Sequence, residues 1–135
     1  MYLIDTNIFL EVMLARSKKK QCAHFLTLLR DGKEFGVITD FSIHSIIIIM
    51  ESLKKKKELR IFLASLTGYK GLSIYDTKIQ DELEAIDISL EKNLDIEDSI
   101  QYSAALSLNA DGIVSLDKHF DGMEIPRIEP LPIKE

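Results

Sequence analysis

Short apolar runs recur along this chain at residues 2–5, 35–39, 72–75 and 113–116, and two stretches with helical spacing separate each run from the next. Strands joined by helical crossovers cannot pair as hairpins. They lie parallel in one sheet, with helices covering both faces. The pattern therefore predicts an α/β fold, a three-layer α/β/α sandwich around a central, mainly parallel sheet of four to five strands. The fifth is a short edge strand at residues 127–129, confined by prolines at 126 and 130, with another at 132. A chain of 135 residues is expected to form a single domain, 1–135.

The helical stretches differ in clarity. Ile8, Phe9, Val12 and Met13 make one stripe, and Cys22, Phe25, Leu26 and Leu29 a second, closed by Asp31-Gly32. The run Ile46–Ile49 favours a strand on β-branched propensity alone. Capping residues before it and Met50-Glu51-Ser52-Leu53 after it favour a buried helix. Leu59, Phe62, Leu63 and Leu66 follow. The next helix, after a cap at Asp76-Thr77, carries Ile79, Leu83, Ile86 and Leu90 on its apolar side. Asp95 caps a last helix with Ile100, Ala104, Ala105 and Leu108.

The net charge of −5 argues against a generic nucleic-acid binder, though not against an enzyme that touches nucleic acid locally. The lysine clusters 18–20 and 54–57 read first as solvated helix ends or turns, and second as a rim contacting phosphates. A lone cysteine, Cys22, excludes an internal disulfide framework and suits a reducing cytoplasm. Met1 leads directly into the first strand, so no secretory signal is expected. Ile46–Met50 is the longest apolar run, too short to span a bilayer.

Three acids occupy comparable points. Asp5 ends the first strand, Asp98 lies in the first turn of the last helix, and Asp117 follows the fourth strand. In a parallel sheet these points share one rim, where ligands bind. Carboxylates converging there would raise one another's pKa unless a divalent cation, Mg²⁺ or Mn²⁺, sat among them. Three separate helix-capping acids is the other reading. His44 is read as structural or incidental.

The opening Met1-Tyr2-Leu3-Ile4-Asp5-Thr6-Asn7 resembles that of PIN domains, in which a hydrophobic strand ends in Asp-Thr/Ser-Asn. Asp95-Ile96-Glu97-Asp98-Ser99 is similar to their central D-x-x-D-A segment, and Ser115-Leu116-Asp117-Lys118-His119-Phe120 to their closing T/S-x-D-x-x-F. The resemblance covers essentially the whole chain. It implies a metal-dependent ribonuclease of the VapC toxin kind, hydrolysing RNA phosphodiesters. Asp5, Asp98 and Asp117 would be catalytic and would ligate Mg²⁺ or Mn²⁺. Thr6, Asn7 and Ser115 would orient those carboxylates, with Asp40 and Asp95 as further acids near the rim. It also implies a homodimer and a silencing antitoxin.

One departure stands out. The family places a glutamate early in the helix after the second strand, and Ser45 occupies that place here. Asp40 is the nearest acid able to assist, while Glu51 lies roughly 240° around the helix. The departure supports a second reading, a degenerate PIN domain that binds RNA or a partner without cutting. A receiver-like signalling domain phosphorylated at Asp76 is a third, opposed by the paired helices and by Thr6 where a second acid would be needed.

Overall fold

The computed structural model describes residues 1–131, so Pro132 lies outside them. The elements are β1 (Tyr2–Ile4), α1 (Thr6–Met13), α2 (Lys19–Arg30), β2 (Gly36–Thr39), α3 (Asp40–Ser52) and α4 (Lys56–Leu66). They continue with β3 (Leu72–Tyr75), α5 (Ile79–Lys92), α6 (Ile96–Ser107), β4 (Gly112–Val114), a 3₁₀ turn (Lys118–Phe120) and β5 (Arg127–Ile128).

The five strands form one sheet in the order β3-β2-β1-β4-β5, and every pairing is parallel. The period-2 alternation of side chains sorts the strand residues into two cores. Ile4, Ile38 and Val114 face a cluster with Phe9, Leu29, Ile46, Met50 and Phe62 from α1–α4. Leu3 and Ile113 face the opposite cluster, with Tyr102, Ala104 and Ala105 from α6. This is the expected α/β/α sandwich, with an entirely parallel sheet.

The capping chemistry works as the residue types suggest. Asp5 caps α1, Thr39 caps α3 and Asp95 caps α6, each accepting a backbone N–H in the first turn. The isoleucine run is helical, with Ile46 fully buried and Ile48 exposed. Gly71 pins the entrance of β3. Its backbone passes so close to β2 that a Cβ there would lie 2.0 Å from the Glu34 carbonyl oxygen.

Helix α5 departs from the expectation on two counts. It begins at Ile79, and Thr77 turns away to bond Asp40, while the N–H of Lys78 donates to Asp81 Oδ2 at 2.9 Å. Its apolar side also points outward: Ile79, Leu83, Ile86 and Leu90 are 72%, 54%, 49% and 81% exposed. Asp81 sets that rotation. It is buried and accepts hydrogen bonds from Tyr75 at 2.6 Å and from Ser107, while Ser103 donates to its carbonyl at 2.7 Å. Ala85 is the other buried residue of α5, which packs against α6.

Both lysine clusters sit at helix ends. Lys18 precedes α2 and pairs with Glu129, and Lys54 and Lys55 form the turn between α3 and α4. Among the described residues no helix is long and apolar enough to cross a membrane.

Candidate metal centre

β1 is flanked by β2 on one side and β4 on the other, so the chain leaves the sheet in opposite directions about this strand. Such a switch opens a crevice beyond the carboxyl ends of the strands. The crevice here is a recess of about 300 Å³ whose polar lining includes Asp5, Asp98, Asp117, Gln101 and Ser45. Leu10, Phe41, Ile48 and Ile49 form an apolar wall beside them.

Three local devices deliver the acids. Asp5 is the N-cap of α1, its Oδ1 accepting the Thr6 N–H at 2.8 Å, and it is 6% exposed. Asp98 is held in the first turn of α6 by its own N–H, which donates to Asp95 Oδ1 at 2.8 Å. Asp117 caps the 3₁₀ turn, accepting the His119 N–H at 2.9 Å. Ser115 joins two of them: its hydroxyl donates to Asp5 Oδ2 at 2.7 Å and accepts the Asp117 N–H at 2.9 Å. Asn7 reaches the same hydroxyl at 3.5 Å and accepts the Leu116 N–H at 3.4 Å. Thr6 bonds Ser42 at 2.8 Å.

Sequence reading missed two participants. Gln101, one helical turn beyond Asp98, is buried and bonds four side chains. Its Nε2 donates to Ser42, and to Asp5 and Thr6 at 3.4 Å, while its Oε1 accepts from Thr39 at 2.9 Å. The available signal was a polar residue on the buried face of an apolar helix. His119 is the second. Its Nδ1 lies 3.1 Å from Asp98 Oδ2 and 3.1 Å from Asp117 Oδ1. These three residues each offer a ligand atom within 4.8 Å of the others, and Asp5 stands deeper in the same recess.

Other candidates lie elsewhere. Asp40 starts α3, but its carboxylate accepts from Thr77 N–H at 3.0 Å, from the Thr77 hydroxyl and from Phe41 N–H at 2.8 Å, and it does not line the recess. Asp95 is exposed and committed to capping. Glu51 faces Lys56, and His44 is exposed. Ser45 does line the recess.

The electrostatics are those of an acid cluster faced by a single histidine. Burial raises the pKa of Asp5. Burial, and then the charges of Asp117, Asp95 and Asp5, push Asp98 up to about 6 against the opposing bond to His119. The hydrogen bond to Asp98 and the charge of Asp117 raise His119. Both groups hold protons more tightly folded than unfolded. Asp98 therefore contributes stability that is complete below its unfolded value of about 3.9 and is lost as pH rises through about 6. His119 adds a loss of the same sign above about 6.5. Below about pH 4 the sign reverses, because Asp40 and Asp81 are held low by hydrogen bonds that outweigh their burial. In chelator the protein is therefore expected to melt at a higher temperature at pH 5 than at pH 8. Asp98→Asn should remove much of that difference, as melts at the two pH values would record.

Comparison with known families agrees with this geometry. The PIN domain family model matches residues 2–125. This chain belongs to the PIN domain family. Solved structures share the PIN fold at low identity. A toxin-antitoxin complex from Klebsiella pneumoniae superposes with a TM-score of 0.72 at 15% identity, covering 98% of this chain and 100% of that one. DNA-bound VapBC from Salmonella typhimurium gives 0.73 at 14%, covering 96% and 98%. The sarcin-ricin loop cleaving toxin VapC20 of Mycobacterium tuberculosis gives 0.71 at 7%, covering 87% and 90%. No curated protein sequence matches.

Proposed function

We propose that this PIN domain is a metal-dependent endoribonuclease, the toxin of a toxin–antitoxin pair acting in the cytoplasm. The observation that carries the reading is the convergence of Asp98 and Asp117 on one point, with Asp5 buried behind them. No lysine or arginine among the described residues lines that recess, so the acids there have only His119 to balance them. Asp5, Asp98 and Asp117 would hold Mg²⁺ or Mn²⁺, hard ions that suit oxygen ligands. Such an ion supplies phosphate charge neutralisation and water activation. Ser115 holds the Asp5 carboxylate directly and Thr6 holds it through its backbone N–H, while Asn7 acts through Ser115, so that Asp5 need not reorganise during the reaction. The apolar wall with Phe41 offers a surface on which an unpaired base can pack, a common mode of single-stranded RNA recognition. Toxin–antitoxin complexes among the structural relatives support an antitoxin partner, and the reading includes a homodimer measurable by light scattering. Incubating labelled RNA with the protein in Mg²⁺, in Mn²⁺ and in chelator tests the activity. Intact RNA under all three conditions would refute it.

Ser45 favours the alternative, a PIN domain that binds RNA or a partner without cutting. It stands in the wall of the recess, where a neutral hydroxyl attracts a dication less than a carboxylate does. Ser45→Glu is expected to tighten Mg²⁺ or Mn²⁺ binding by about 1–2 kcal/mol, the scale of one screened charge pair. Titration calorimetry would measure this, and a parallel rise in RNA cleavage would separate a weakened enzyme from a binding module.

A further inference from the structure

We infer that His119 Nδ1 is a ligand of the ion held by Asp98 and Asp117, and that this nitrogen shifts the site from Mg²⁺ toward first-row transition ions. The inference rests on the metal-binding part of the reading above. Nδ1 is 3.1 Å from one oxygen of each carboxylate. An octahedral ion with bonds of about 2.1–2.2 Å spaces adjacent ligand atoms about 3.0–3.1 Å apart. Both nitrogen–oxygen distances therefore already match those of neighbouring ligands, and each of the three residues offers a ligand atom within 4.8 Å of the others. A single Nδ1–H, by contrast, must be shared between two acceptors at equal distance, and sharing weakens alignment to each.

The backbone holds this arrangement. Asp117 Oδ1, one of the two oxygens, also accepts the His119 N–H at 2.9 Å, so the turn fixes side chain and carboxylate on the same side. The imidazole approaches the two carboxylates from solvent and is 67% exposed. Ser45, which also lines the recess, brings no carboxylate, so nitrogen supplies a larger share of the donor set. Nitrogen donors favour later first-row ions in the order Mn²⁺, Fe²⁺, Co²⁺, Ni²⁺, whereas Mg²⁺ keeps to oxygen.

The test compares the wild type with His119→Ala and Asp98→Asn, using Mg²⁺, Mn²⁺ and Co²⁺ alone as probes. Pulsed electron paramagnetic resonance of the Mn²⁺ form is expected to show ¹⁴N coupling that changes to ¹⁵N on histidine labelling and vanishes in His119→Ala. Calorimetry is expected to show the Co²⁺-to-Mg²⁺ affinity ratio falling about tenfold or more in His119→Ala. His119 is exposed, so folding of the variant is expected to be intact, and a melting curve checks it. Mn²⁺ bound in an Asp98-dependent way without histidine ¹⁴N coupling would overturn the inference and leave the nuclease reading standing. Histidine coupling in a protein that leaves RNA intact would do the reverse. No Asp98-dependent binding of any of the three ions would overturn both.

Discussion

Asp98→Asn and Asp117→Asn, made singly, are each expected to lower metal-dependent RNA cleavage by at least about 100-fold, a barrier increase of roughly 3 kcal/mol or more. Each change removes one charge from a site where attraction for a dication depends on the summed charge of very few groups. It also replaces an oxygen that faces His119 Nδ1 at 3.1 Å. Neither mutant should unfold. Asp98 caps nothing with its carboxylate, and its ionised form is disfavoured by burial and then by the charges of Asp117, Asp95 and Asp5. In chelator, Asp98→Asn is expected to melt at or above the wild-type temperature near neutral pH, because a group that repels its neighbours has been neutralised. Asp117→Asn keeps a side-chain oxygen for the His119 N–H, so the turn should persist. Single-turnover cleavage beside thermal melts decides the matter. Wild-type cleavage rates in both mutants would refute the assignment, and a collapse of stability in both would favour plain helix-capping roles.

Gln101→Ala is expected to cost about 2–4 kcal/mol of stability without removing any acid from the recess. The side chain is 2% exposed and bonds Thr39, Ser42, Thr6 and Asp5. Truncation leaves the fully buried Thr39 hydroxyl without an acceptor and takes a donor from Asp5, and each orphaned buried group costs about 1–3 kcal/mol. A cavity adds to the loss. Urea titration in chelator measures the effect, with Gln101→Met as the partner variant that fills the volume but cannot bond. Equal, small losses in both would mean the four bonds contribute little. A large loss in both would assign the cost to the bonds rather than to the cavity.

Much of this site was legible from residues close in sequence. A helix cap is made by a side chain reaching its own first turn, so Asp5, Asp95 and Asp117 could be placed at element ends from a few neighbours each. The parallel sheet followed from the crossovers, because strands separated by helices cannot close as hairpins. The family resemblance rested on these same local segments, and the match over residues 2–125 bears it out. The isoleucine run was decided by its flanks, since a β-branched stretch inside a capped, buried helix obeys packing before propensity.

Contacts across the strand order were a different matter. Gln101 meets Asp5 and Thr39 because β1 lies between β2 and β4 with α6 against it, so residues 95–107 show a polar residue on an apolar face but not the partners it finds. His119 approaches Asp98 across 21 residues, and nothing in D-x-H announces the second carboxylate. Asp40 looked available at the strand exit until Thr77, on the loop after β3, took its carboxylate. The apolar stripe of α5 looked like a core face, yet Asp81 turns it outward through bonds to Tyr75 and Ser107. Hydrophobic periodicity shows that a helix has an apolar side. Which way that side points depends on the strongest directional bonds the helix makes with its neighbours, and those are set only when the chain has closed on itself.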